Sequence, residues 1–217
     1  MATQNNMDLT QGKPFSVLLK FAIPVILGNL FQLFYTLADS VIVGKTMGAG
    51  ALAAVGSTSI IIYFIFCFIN GFTGGFGICL GQRFGARDQK GMTKSIAVSA
   101  VLCVLFTILL TAVCCLLAHP ILRWMQIPAD IYDDAYTYMF IVLAGTGATI
   151  YYNMISNMLR ALGDSKTPLY FLVFSSLLNI VLDVVFILPL QMGVAGAALA
   201  TILAQLLSAV LSNMVGW

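Results

Sequence analysis

The sequence predicts an all-α, polytopic membrane protein with six transmembrane helices. Of its 217 residues, 60% are apolar and 8% are charged, whereas an ordinary soluble domain has about 45–50% and about 25%. The mean hydropathy is +1.00. Because a helix needs about 20 apolar residues to cross a bilayer, a chain of this length holds roughly six. These figures exclude a water-soluble globule, and a net charge of +2 gives no reason to expect a nucleic-acid partner.

Six uninterrupted apolar runs are long enough to cross the lipid bilayer. They cover residues 15–43, 51–80, 95–118, 131–159, 169–190 and 193–215. Residues 1–14 form a short polar tail, and turn residues and charges mark the loops between the runs. Backbone polar groups in lipid must be satisfied internally, and continuous apolar runs fit helices, whereas a β-barrel would alternate. We therefore expect a bundle of membrane-spanning helices.

The basic residues predict the orientation of the chain. With the N-terminus in the cytoplasm, only Lys45 and Arg123 fall in outer loops. The remaining basic residues fall on the cytoplasmic side and are Lys13, Lys20, Arg83, Arg87, Lys90, Lys94, Arg160 and Lys166. This asymmetry is a strong positive-inside signal. It predicts a cytoplasmic tail over residues 1–14 and both termini on the cytoplasmic side.

Two aspartates, Asp39 and Asp183, lie inside predicted spans with apolar residues on both sides. A carboxylate within a span costs about 2.5–3.5 kcal/mol on insertion scales and marks a candidate functional site. The alternative is a structural pairing with a polar neighbour, but no Lys or Arg falls in the same layer. The two carboxylates therefore require a bound cation, protons or a cationic substrate to compensate their charge.

Five polar residues on four spans fall in one layer of the outer half of the bilayer. At a rise of about 1.5 Å per residue, each lies about 6–16 Å from the outer end of its own span. They are Asp39, Tyr138, Asn179, Asp183 and Thr201. We therefore expect these side chains to converge on one pocket.

The helical period places further polar groups beside these aspartates. Asn179 and Asp183 are four residues apart on one helix face, and Gln32 and Tyr35 share a face with Asp39. One pocket holding these side chains would offer several oxygens to a sodium ion, or two carboxylates that share a proton. Either arrangement would couple the site to an ion gradient.

Proline and glycine indicate where helices bend and pack. Pro24 removes a backbone hydrogen bond from the first span, and we expect a hinge there that responds to ion binding or protonation at Asp39. Gly-x-x-x-Gly spacings in the second span predict close helix packing. The glycines concerned are Gly71, Gly75, Gly77, Gly81 and Gly85.

Motifs typical of enzymes are absent from the sequence. There is no His-Glu-x-x-His pair, no nucleophile-elbow serine and no phosphate-binding glycine loop. We therefore do not expect an enzyme, and we expect no cofactor beyond a coupling sodium ion or proton.

Four stretches resemble the first half of a transporter of the multidrug and toxic compound extrusion (MATE) family, prokaryotic type. The most specific is 159–168, which reads LRALGDSKTP. The others are residues 8–10 with 21–24, residues 38–44 and residues 81–88. Together with residues 179–183, they extend over nearly the whole chain.

This resemblance implies a plasma-membrane antiporter that exports organic cations or amphipathic drugs in exchange for sodium ions or protons. Its fold has twelve helices in two six-helix lobes, and this chain corresponds to the first lobe, residues 15–217. The implied cation-binding residues are Asp39, Asn179, Asp183 and Thr201. The implied or expected cavity residues are Gln32, Tyr35, Tyr138, Asn153 and Asn157.

Alternating access requires two lobes, so we expect a second six-helix lobe or a second copy of this chain as partner. Two alternatives stay open. One is a lipid-linked oligosaccharide flippase of the same superfamily, although such proteins usually need basic residues in the cavity and we expect none here. The other is a non-transporting membrane subunit.

Overall fold

The computed structural model describes residues 14–216 as seven helices joined by short connections. The helices are α1 (Pro14–Met47), α2 (Ala49–Gly85), α3 (Gln89–Trp124), α4 (Tyr132–Ala144), α5 (Thr146–Ala161), α6 (Lys166–Ile187) and α7 (Gly193–Gly216). Residues 1–13, which hold most of the predicted tail and the motif at 8–10, lie outside the described residues.

Five of the helices are long and apolar enough to cross a membrane, and the bent pair α4 and α5 makes a sixth span if the two cross together. The described residues thus hold five or six spans, against the six that the composition predicts. Helices α1 to α3 and α5 extend beyond the predicted runs, whereas α6 ends at Ile187, three residues before its run does. Gly48 alone separates α1 from α2, where the sequence suggests a loop over residues 44–50.

The predicted span 131–159 is bent by 44° between α4 and α5. Thr146 follows the break and donates its hydroxyl to the Leu143 carbonyl at 2.9 Å, while the same oxygen is 2.9 Å from the Thr111 hydroxyl of α3. Side-chain bonds of this kind compete with the helical backbone ladder and bend helices. The apolar run predicts the span but not its bend.

Helix α5 lies at the centre of the packing, between α2 and α7, while α6 packs on α7 and α1 packs on α6. The core holds large, fully buried apolar side chains, among them Ile69, Leu80, Leu122, Met139 and Leu143. The outward faces of α1 and α3 instead expose long rows of Leu, Val, Ile and Phe. Apolar surface on this scale requires lipid or another membrane helix to cover it.

The glycines of α2 face two different environments. A Cβ on Gly77 would meet the backbone oxygen of Asn157 at 3.1 Å, and one on Gly81 would lie 3.7 Å from the backbone oxygen of Ala161. These two glycines permit the close approach of α2 and α5. Nothing lies within 4 Å of the position of a Cβ on Gly71, Gly75 or Gly85. The packing predicted for those three does not occur within the described chain.

The connections between α2 and α3 and between α5 and α6 lie at the same end of the bundle, which we call the basic end. Arg83, Arg87, Lys90, Lys94 and Lys166 are at or beside these connections. Acids there act locally: Asp88 accepts from the Gly91 N–H at 2.9 Å and begins α3, and Asp164 accepts from two backbone N–H groups at the start of α6. Such contacts stabilise helix N-termini.

Candidate functional site

A polar cavity opens between α1, α2, α5, α6 and α7. Every one of these helices contributes at least one side chain that can donate or accept a hydrogen bond. The lining residues are Asn29, Gln32, Tyr35, Phe66, Asn70, Thr149, Tyr152, Asn153, Ser156, Arg160, Leu172, Ser175, Ser176, Asn179, Thr201, Ala204 and Gln205. A cavity this polar is unusual among apolar spans and marks a path or binding site for a polar ligand.

Asp39 of α1 and Asp183 of α6 lie buried at the end of this cavity that is far from the basic end. Asp183 is completely buried and Asp39 is 8% exposed. The two carboxyl groups are within hydrogen-bonding reach of each other. In both residues the Oδ1 atom is buried without a hydrogen-bond partner. An unpartnered carboxylate oxygen in a protein interior is costly, so both atoms are available to a cation or a proton.

Asn179 and Thr201 connect the carboxylate pair to the cavity. With its amide nitrogen facing Asp183, Asn179 donates to Oδ2 of that residue at 3.3 Å, and its oxygen accepts from the Thr201 N–H at 3.2 Å. The Thr201 hydroxyl donates to the Ala197 carbonyl at 3.2 Å. Both side chains are buried and both line the cavity. The site therefore combines carboxylate, amide and hydroxyl oxygens, which are ligands that hard cations prefer.

Two tyrosines complete the surroundings of the pair. Tyr35 points its hydroxyl towards Thr201 and lies near both carboxylates, and the buried Tyr138 of α4 lies near the carboxylates and Tyr35. Of the five residues that the sequence analysis expects around Asp39 and Asp183, the structure thus brings four close to the pair, and the fifth, Gln32, lines the cavity.

Basic side chains do not neutralise the carboxylates. Between residues 14 and 216 the ion pair that forms is Arg83 with Asp88, at 3.9 Å on the surface. The same residues also hold no group of three or more His, Cys, Asp or Glu side chains suited to a metal ion. Two carboxylates with neutral oxygens suit a monovalent cation or a proton better than a transition metal.

The two predicted asparagines of α5 differ in position. Asn153 lines the cavity and donates to the Thr149 carbonyl at 2.8 Å. Asn157 does not line it: its amide nitrogen donates to the Thr73 hydroxyl of α2 at 3.1 Å. The two asparagines are four residues apart, so the helical period predicts that they share a face. The sequence does not reveal that α2 packs against α5 at Gly77 and contacts Asn157 there. Its expected place in the cavity is therefore corrected.

The expectation that the cavity holds no basic residue is wrong, because Arg160 lines it. We expected Arg160 to begin a loop, whereas α5 continues to Ala161 and ends before Gly163, whose φ is 88°. The missed signal is a polar stripe at helical spacing on α5 that ends at this arginine. Its members are Thr149, Asn153, Ser156 and Arg160.

Comparison with known proteins agrees with the fold. The sequence model of the MatE family matches residues 24–185. The chain belongs to this family. The buried aspartate pair and the LRALGDSKTP connection both lie within the matched range.

Known relatives extend beyond this chain. A relative named "Probable multidrug resistance protein YpnP", from Bacillus subtilis (strain 168), is 39% identical over 198 residues, which are 91% of this chain and 44% of the relative. A transporter structure of the MOP superfamily from Pyrococcus furiosus superposes with a TM-score of 0.90 at 29% identity, covering 98% of this chain and 47% of the other.

A third comparison concerns conformation. A solved structure described as MATE in the bent conformation has a TM-score of 0.86 and 30% identity, and covers 93% of this chain and 45% of that one. This MatE-family chain therefore spans less than half the length of the relatives that it matches.

Proposed function

We propose that this MatE-family chain forms one lobe of a cation-coupled multidrug exporter in a prokaryotic plasma membrane. The observation that carries the proposal is the buried pair Asp39 and Asp183, whose Oδ1 atoms lack partners and which no basic side chain of the described residues neutralises. The family match and the drug-resistance relative support export as the function.

In the proposed mechanism, a sodium ion or proton binds at the aspartate pair and compensates the charge. Asn179 and Thr201 supply further oxygens, and Tyr35 and Tyr138 exclude water from the site. An organic cation occupies the adjacent cavity, where Gln32 and Asn153 offer hydrogen bonds. The aspartate pair is negatively charged when it is empty and compensated when the coupling ion is bound. The coupling ion and a cationic substrate in the adjacent cavity therefore compete for the same negative charge, which gives exchange of one for the other.

We also propose that Pro24 lets α1 bend when the coupling ion binds at Asp39. The helix continues through Pro24 without a break, so a change of bend requires only a local adjustment at a residue that already lacks one backbone hydrogen bond. Spin-label distances across residue 24 should change between sodium-loaded and sodium-free protein. Identical distances in the two states would remove the hinge from the mechanism.

Export would require a second six-helix lobe.

We also propose that the basic end faces the cytoplasm. Impermeant maleimide applied to intact cells should label Asp133→Cys and spare Lys94→Cys in a background without native cysteines. The reverse pattern would place the basic end outside.

The test of the function is ethidium accumulation in inverted vesicles that contain the chain with the second half of its Bacillus subtilis relative. Asp39→Asn and Asp183→Asn should each abolish accumulation driven by a sodium or pH gradient. Asp133→Asn is the matched control, since Asp133 lies exposed at the start of α4 and loses the same charge. Undiminished ion-driven accumulation in both site variants would contradict the proposal.

A further inference from the structure

Arg160 lies at the end of the cavity opposite the aspartate pair. It is in the last turn of α5, is largely covered by neighbouring residues, and lines the cavity. Its Nε atom is buried without a hydrogen-bond partner. A guanidinium carries five donors, and Arg160 takes part in no ion pair with an acid of residues 14–216.

The other side chains at this end of the cavity also carry donors. Tyr152 lies near Ser156 and Arg160. The Ser156 hydroxyl is buried without a hydrogen-bond partner, and both side chains line the cavity. No carboxylate is among the lining residues. This end of the cavity therefore presents one positive charge and neutral polar groups.

The cavity therefore has a positive charge at one end, and at the other end the buried aspartate pair lies behind Asn179, which lines the cavity and contacts Asp183. Along α5, Arg160 is about 16 Å from Thr149 at about 1.5 Å per residue, and Thr149 bonds to Gln205 of α7, the helix that carries Thr201. A buried arginine within a membrane bundle is costly unless an anion compensates it. Its planar fork matches carboxylate, sulfonate and phosphate groups, which accept two parallel hydrogen bonds.

We propose that the arginine end of the cavity is an anion-binding subsite, with Arg160 as its charged group and Tyr152 and Ser156 beside it. It would take the carboxylate, sulfonate or phosphate of an amphipathic ligand. The substrate class then includes zwitterions whose cationic and anionic groups lie at opposite ends. The subsite rests on the proposed function only for transport, because binding can be measured without it.

A matched pair of fluorescent probes tests the subsite. Anilinonaphthalene sulfonate carries one anionic group, and N-phenyl-1-naphthylamine has the same rings without it. Both are titrated into the full chain in phosphatidylcholine nanodiscs and corrected for empty discs. Arg160→Gln should weaken sulfonate binding about ten-fold or more while the neutral probe changes less than about two-fold, since a charge-assisted bond is lost.

Two variants accompany this measurement. Arg160→Lys keeps the charge but not the fork and should fall between wild type and Arg160→Gln. Arg123→Gln removes an exposed arginine of α3 and should change neither probe. Equal losses of both probes in Arg160→Gln and Arg160→Lys, or equal losses in Arg123→Gln, would overturn the subsite.

A site-specific readout on the unaltered chain covers the case in which Arg160→Gln does not fold. In protein labelled with ¹⁵N at arginine Nε, the Arg160 resonance is the one that disappears in Arg160→Lys. It should shift with the sulfonate and not with the neutral probe. An unshifted resonance at saturating sulfonate would overturn the subsite.

An anionic lipid head group offers the same chemistry as a soluble anion. Nanodiscs with phosphatidylglycerol separate these sources. If the lipid occupies the subsite, the Arg160 resonance shifts before any probe is added and sulfonate affinity falls in wild type only. If a soluble ligand is favoured, phosphatidylglycerol leaves both the Arg160 resonance and the sulfonate affinity unchanged.

Loss of this subsite would leave the effects of Asp39→Asn and Asp183→Asn on ion-driven export intact, so the two proposals fail separately.

Discussion

The Oδ1 atoms of Asp39 and Asp183 set the chemistry of the lobe at the scale of single residues. Each is buried and without a partner, although a neutral carbonyl or hydroxyl at the same place would be far cheaper to bury. Asn179 supports the pair from one side through Asp183. A chain that retains two unneutralised acids at this depth has a site whose energy changes strongly when a small cation enters.

Thr201→Val provides a residue-scale prediction. The substitution keeps the side-chain shape and removes the hydroxyl that lies near Tyr35 and Asn179. We expect sodium affinity to fall about ten-fold, equivalent to about 1.4 kcal/mol, because one neutral oxygen leaves the site. Equilibrium binding of radioactive sodium to the purified chain measures it.

The control is Ser208→Ala on the same helix. Ser208 is fully buried, and its hydroxyl has no hydrogen-bond partner. Removing it should leave sodium binding unchanged and thermal stability equal or higher, since an unsatisfied polar group is lost. A similar fall in sodium affinity in both variants would show that Thr201 acts through packing alone.

The sequence identifies site residues whose signal lies within one span, and it misses those whose position depends on contacts between helices. Asp39 and Asp183 are identifiable because a charge within an apolar run has no cheap explanation. Arg160 is missed because it adjoins a segment rich in turn residues, and only the three-dimensional course of α5 brings it to the cavity wall. Asn157 is misplaced because contact between helices, which no periodicity reveals, turns it towards Thr73.

At the scale of helices, apolar run length predicts the spans, whereas their junctions depend on tertiary contacts. The bend between α4 and α5 coincides with the hydrogen bond between Thr146 and Thr111 of α3. Glycine spacing alone also does not reveal which glycines pack. Gly77 and Gly81 contact α5, whereas nothing lies within 4 Å of a Cβ placed on Gly71 or Gly75 of the same helix.

Gly77→Ala tests this difference at the α2–α5 contact. A methyl group there meets the Asn157 backbone oxygen at 3.1 Å, and backbone cannot move aside as a flexible side chain does. We expect the chain to lose about 1–3 kcal/mol of stability, as overpacked sites do. The thermal unfolding midpoint in detergent should fall accordingly.

Gly75→Ala is the matched substitution two residues earlier. Its Cβ meets nothing within 4 Å, and alanine in a helix interior is about 0.5–1 kcal/mol more favourable than glycine. Its midpoint should stay the same or rise. Equal falls in the two variants would mean that the α2–α5 contact is not what Gly77 serves.

For the whole molecule, the exposed apolar faces and the partial coverage of relatives lead to the same expectation. The chain matches 44% of its Bacillus subtilis relative and 47% of the Pyrococcus furiosus structure. Because alternating access needs two lobes around a shared site, we expect the chain alone to bind the coupling ion, sodium or a proton, and not to accumulate ethidium.

Reconstitution distinguishes the partners. Adding the second half of the Bacillus subtilis relative should restore accumulation if a distinct second lobe is required. Accumulation by the chain alone, together with a dimer in solution, would instead identify a second copy as the partner. Absence of both sodium binding and proton uptake by the folded chain would contradict the site itself.

The single-residue connection at Gly48 has a consequence for how a signal leaves the cation site. Asp39 lies two turns from the end of α1 that Gly48 joins directly to α2, so this end has little freedom to shift. Pro24 is about 22 Å from Asp39 along the helix, at about 1.5 Å per residue. If α1 bends at Pro24 as we propose, a change at Asp39 displaces residues 14–23, at the opposite membrane surface from the proposed ion site.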